Sequence, residues 1–134
     1  MKLQGKRGTI LLEFAMSAIV LIILFAGMAN CALVLGERII MESAIREAGR
    51  EAAVSESLSK GRNVGENVLT SAGINPGRYE LSVYQAGDRL IAVDATVNSP
   101  VLLPLIGGLA GGNWSSFIPL SDTKYFRLEN TPKS

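Results

Sequence analysis

The sequence predicts an α+β protein, in which a long N-terminal transmembrane helix continues into a small head with a short helix and a three-stranded antiparallel sheet. Three observations carry this. The 23 residues from Phe14 to Gly36 hold no charge. An apolar stripe at helical spacing follows at once, in Met41, Ala44, Ile45, Ala48 and Ala52. From Tyr79 onward the pattern changes to period two, as expected of half-buried strands.

The uncharged run comes first. As a helix it extends roughly 35 Å, enough to cross a hydrocarbon layer about 30 Å thick. A buried core helix of that length with no polar face would be very unusual in a chain of 134 residues. Lys2, Lys6 and Arg7 precede the run and suit a cytoplasmic N-terminus, with the larger charged part on the far side. The chain's one cysteine, Cys31, lies within the run and reads as a small packing residue.

The stripe beyond the membrane extends the helical pattern, so one helix is expected from about Thr9 to about Lys60, with Gly36 as the place for a bend. Glu42 and Arg46, at i,i+4, and Glu47 and Arg50, at i,i+3, are spaced as helix-stabilising pairs. Ala44, Ala48 and Ala52 form a row of small residues along which another backbone could approach closely. Two readings of that row stand: it meets a neighbouring subunit, or it covers the protein's own sheet.

Gly61 is expected to end the first helix, and Val64, Val68 and Leu69 to form a short second one ending near Gly73. Asn75, Pro76 and Gly77 make a turn. A strand follows in "RYELSVY", with Tyr79, Leu81 and Val83 inward, and "QAGD" turns the chain into "RLIAVDATVN", with Ile91, Val93, Ala95 and Val97 inward. The third strand is expected at Lys124–Glu129, with Phe126 and Leu128 inward. Between them "SPVLLPLIGGLAGGNWSSFIPLS" is apolar but interrupted by Pro100, Pro104, Pro119 and paired glycines, so it does not suit a second span. It either covers the sheet or offers a surface near the membrane, with Trp114 as an interfacial anchor.

Composition argues against several functions. With 13 basic and 12 acidic residues there is no overall basic field to attract nucleic acid, and none is expected as a partner. No histidine is present, which removes the commonest general base and metal ligand. Asp88, Asp94 and Asp122 lack the surroundings of an aspartyl site, and "GGLAGG" lacks the lysine of a phosphate-binding loop. No enzyme activity, catalytic residue, cofactor or metal is expected.

One residue conflicts with a plain anchor: Glu13 stands at the entry of the apolar run, just behind "KRG". A carboxylate at membrane depth costs about 2.5–3.5 kcal/mol on insertion scales. A secretory signal with cleavage after Ala29 fits the basic start and "GMA", although the apolar run continues to Leu35. A lipoprotein signal fails, because Asn30 occupies the small-residue position before Cys31.

The stretch "RGTILLEFA" resembles the cleavage region of type IV-like prepilins, and its Glu-Phe pair looks most like the TadE-like family of tight-adherence systems. The resemblance implies cleavage by a prepilin peptidase between Gly8 and Thr9, with Glu13 and Phe14 as the processing and assembly motif. It divides the chain into a leader at 1–8, a transmembrane helix at 9–36 and a periplasmic pilin-like head at 37–134. A glycine at the cut lets extended backbone enter a protease cleft. Cleavage creates an ammonium on Thr9, four residues and one helix turn from Glu13. That charge, on the same chain or a neighbour, would offset much of the carboxylate's cost. The partners implied are the prepilin peptidase, other pilins or pseudopilins, the inner-membrane assembly platform and membrane lipid. Helix, hairpin, apolar linker and closing strand follow the TadE-like order as well. Three mature N-termini separate the readings: Thr9 for a pilin, Met1 for an unprocessed membrane-anchored scaffold or binding protein, Asn30 for a secreted binder.

Overall fold

The computed structural model of the chain describes residues 3–102 and 116–128. The elements in order are α1 (Leu3–Ser55), α2 (Leu58–Ser71), a 3-10 turn (Pro76–Arg78), β1 (Tyr79–Gly87), β2 (Leu90–Pro100) and β3 (Phe117–Arg127). This is the α+β architecture expected from the sequence. Two compact units divide the chain, one formed by Met1–Ala32 with Val101–Ser116, the other by Leu33–Pro100 with Phe117–Ser134.

In the first unit, α1 displays its apolar side chains outward. Ile10, Leu11, Phe14, Val20, Ile22 and Phe25 are all more than half exposed, as a helix solvated by lipid requires. By length and composition this helix is able to cross a membrane. Cys31 is exposed here and so is not the packing residue that its small size suggested. The Asn30 side-chain carbonyl accepts the Leu102 N–H at 2.9 Å, which gives the polar amide a partner within the apolar run. Val101 N–H donates to Ser116 O at 2.9 Å. Trp114 and the rest of the apolar linker, residues 103–115, lie outside the described residues.

The second unit has helices on one face of a three-stranded antiparallel sheet, in the order β1-β2-β3. Met41, Ala44, Ile45, Ala48 and Ala52 of α1 join Leu69, Leu81, Ile91, Val93, Ala95 and Val97 in one buried cluster. The central strand β2 buries all four of its expected inward residues, and Ala92 on its other face as well. Ala92 is paired across the sheet with Tyr84 and Tyr125; neighbouring side chains of that size screen an alanine methyl from water.

Boundaries shift in five places, the first being the start of α1 at Leu3 rather than near Thr9. α1 ends at Ser55 rather than near Lys60, because Glu56 adopts the left-handed conformation (φ 51°) and Ser57 starts a new helix. The Ser57 hydroxyl accepts the Lys60 N–H at 3.4 Å, a long N-cap bond. Gly61 therefore does not break a helix but lies buried inside α2. α2 closes where expected: Gly73 N–H donates to Thr70 O and Ile74 N–H to Leu69 O, both at 3.0 Å, with Gly73 at φ 85°. That bond pair is a Schellman closure, and Leu69 and Ile74 are its buried apolar contact.

β1 runs on through Gly87, with a register shift between Gln85 and Gly87, so the reversal falls on Asp88 and Arg89 rather than on "QAGD". β3 is longer than expected and begins at Phe117, pairing with β2 from Pro100 to Leu90. The proline that hid this strand, Pro119, sits on an edge strand, where a missing N–H is tolerated. Phe126 and Leu128 pack against the core as expected, while Glu129 lies outside the described residues.

Candidate functional site

Gly8, Thr9, Glu13 and Phe14 all lie on α1 in the first unit. All four are exposed, and Phe14 keeps 73% of its surface. A Cβ built on Gly8 would meet nothing within 4 Å, so the backbone there is open to approach from that side. Its conformation is helical, however, whereas a protease cleft takes extended chain. Unwinding is easiest at glycine, which disfavours a helix by roughly 1 kcal/mol relative to alanine. Thr9 and Glu13 are one turn apart, so a new amine at Thr9 would begin the helix on the face that carries Glu13. Among the described residues Glu13 has no ion-pair partner, and its neighbours Ile10, Leu12, Phe14 and Met16 are exposed hydrophobics. A helix surface of this kind holds a carboxylate in an apolar band.

Ala44, Ala48 and Ala52 are placed differently. Each is fully buried inside the second unit, so the row is not exposed for a neighbouring subunit to meet. The close backbone is the protein's own α2. A Cβ on Gly61 would lie 2.6 Å from the Ala48 carbonyl oxygen and 2.6 Å from the Ala52 Cβ. One on Gly65 would lie 2.5 Å from Leu81 Cδ2 and 2.9 Å from the Ala48 Cβ. Gly61 and Gly65 thus form a second small row, four residues apart, facing the alanines. That spacing is visible in "GRNVG", and matching it to the alanine row was the available signal. Gly49 has the same role against the sheet, where the Phe126 ring occupies the space a side chain would need.

Sequence reasoning also missed a charged clamp at the start of the second unit. Arg78 Nη2 donates to Glu37 Oε1 at 2.6 Å and to Asn98 O at 3.0 Å, and Nε donates to Asn98 O at 3.1 Å. The two side chains are only 24% and 14% exposed. The guanidinium thereby ties α1 to the end of β2 through residues 41 and 20 positions away. Among the described residues, Glu37 Oε2 and the Ser99 hydroxyl are buried without a hydrogen-bond partner. Nearby, the Glu42 carboxylate meets Arg38 at 3.6 Å and Lys124 at 3.9 Å. Arg46 instead donates to the Glu42 backbone carbonyl, at 3.3 Å. Among the described residues, Glu47 and Arg50 form no ion pair.

Residues 8–50 match the family described as TadE-like protein, the family that the N-terminal motif resembles. The matched segment opens on Gly8, contains Glu13 and Phe14, and ends within the buried stripe of α1, after Ala48. Neither the curated proteins nor the solved structures yield a match.

Proposed function

We propose that the chain is a structural minor pilin or pseudopilin of a tight-adherence pilus. In this reading a prepilin peptidase cleaves after Gly8, and the mature helix packs laterally with other pilins at an inner-membrane assembly platform. The observation that carries it is the family match over residues 8–50, which spans the Gly8–Thr9 bond, Glu13, Phe14 and the apolar helix together. Pilus association and anchoring by one apolar helix follow from that match and from the helix's composition.

The physical division of labour supports the finer steps. An exposed apolar helix with one carboxylate has surface to offer lipid first and other helices later. A head whose small residues are used up internally needs no neighbour to complete its core. Glu13 on one subunit and a Thr9 ammonium on another would pair in a low-dielectric setting, where such attraction counts most. The role is non-catalytic, the N-terminus cytoplasmic and the head periplasmic.

The mature mass tests the reading. Expressed with its cognate peptidase, the protein should lose residues 1–8 and begin at Thr9. Gly8→Val should retain the leader and still insert, because the apolar run is untouched. Maturation of that variant at Thr9, or a native protein beginning at Met1 or Asn30, would overturn the proposal.

A further inference from the structure

The two edges of the sheet are built differently. β3 carries Pro119, which has no N–H, and places the half-buried charges Asp122 and Lys124 toward the helix side. Proline and inward charges are the devices that keep an edge strand from pairing with another chain. β1, from Tyr79 to Gly87, has neither. Among the described residues it pairs with β2 on one side only. α2 packs over the helix side of the sheet along this strand, held close where Gly65 faces the inward Leu81, and leaves the edge itself open.

Between α2 and that edge lies an open groove of about 470 Å³, lined by Arg62, Glu66, Asn67 and Thr70 from the helix and by Tyr79 and Glu80 from the strand. From Arg62 to Thr70, eight helical steps, the helix rises about 12 Å, the length of three to four residues of extended chain. A groove with an open strand edge as one wall and a helix as the other is the geometry in which a peptide adds to a sheet. Main-chain hydrogen bonds then supply the affinity and side-chain pockets the selectivity.

Charge selects the occupant. Arg62 is taken by Glu66 at 2.8 Å, and that hydrogen bond, with the carboxylate's charge, raises the Arg62 pKa. Glu80 has no ion pair among the described residues, which leaves the groove one carboxylate in excess. Tyr79 is partly desolvated at the groove wall, with its pKa pushed up chiefly by burial. We infer that this groove is a strand-addition site for an extended peptide segment of another protein that bears a lysine or arginine. The inference is independent of cleavage at Gly8.

The test uses the full chain in detergent micelles and a fluorescent, end-capped Val-Thr-Lys-Thr-Val peptide, followed by anisotropy. Saturable binding is expected. Of two versions N-methylated at alternate amides, one should lose binding and the other keep it, because only every second amide of an added strand points at the edge. Glu80→Lys, at an exposed site, should weaken binding by about tenfold, and a glutamate in place of the peptide's lysine should restore it on that variant. No saturable binding up to about 1 mM, or equal binding by both methylated peptides, would overturn the inference. So would self-association of the chain that Glu80→Lys abolishes, since a second copy would then own the edge.

Discussion

Gly61→Ala isolates the feature on which the head's packing depends. In an exposed helix this change stabilises by about 1 kcal/mol, since alanine is the better helix former. In α2 the added methyl has no room: its position lies 2.6 Å from both the Ala48 carbonyl oxygen and the Ala52 Cβ. Neither is the end of a flexible side chain, so relief requires α2 to move off α1. Overpacking of this kind costs typically 1–3 kcal/mol. With backbone as the obstacle the upper part of that range applies, and after the propensity gain the net loss is about 1–2 kcal/mol. Gly36→Ala is the internal control. It lies in α1, and a Cβ there would meet nothing within 4 Å, so it should gain stability by propensity alone. Pulse proteolysis of the full chain across a urea series, in detergent, reads both against the parent. A Gly61→Ala protein as stable as the parent, or more so, would refute the close approach of the two helices.

Glu13→Gln should insert and be cleaved normally yet fail to co-purify with its pilin partners at matched membrane levels; undiminished assembly would leave Glu13 a bystander. Arg78→Ala strands the Glu37 carboxylate with both oxygens unpartnered. Its partial exposure reduces the loss expected for a buried pair to about 1–3 kcal/mol, and adding Glu37→Leu should recover much of that in urea titrations. Tyr79 ionises above its ordinary value because burial favours the neutral phenol, with Glu66 adding and Arg62 opposing. The folded pKa is thus raised above the unfolded value of about 10. The stability involved is complete below that pH and is lost as pH rises through the folded value. Tyr79→Phe should remove this part of the alkaline loss, seen as a smaller drop in urea midpoint from pH 8 to pH 11.

What the sequence alone determined is what consecutive residues carry. The uncharged run from Phe14 to Gly36, the stripe from Met41 to Ala52 and the alternation of β1 and β2 are local periodicities. Each one names its element and its buried face without reference to anything distant. The Gly8–Glu13–Phe14 spacing is local in the same sense, and it was the specific pointer to the family whose match covers residues 8–50. Tertiary structure decided everything that depends on a partner far along the chain. Gly61 looks like a helix breaker until Ala48 and Ala52 stand against it, and Pro119 looks like a loop until β2 shows that its strand lies at an edge. Arg78 looks like an ordinary turn residue until Glu37 and Asn98 converge on it. Glu42 has Arg46 in helical reach, yet its carboxylate is drawn to Arg38 and Lys124. The alanine row had two consistent readings in sequence, because small residues permit close approach without specifying what approaches. Packing resolved it: the backbone that fits the row is the one the chain itself delivers, and a methyl group's width of free space is set by the second helix as much as by the first.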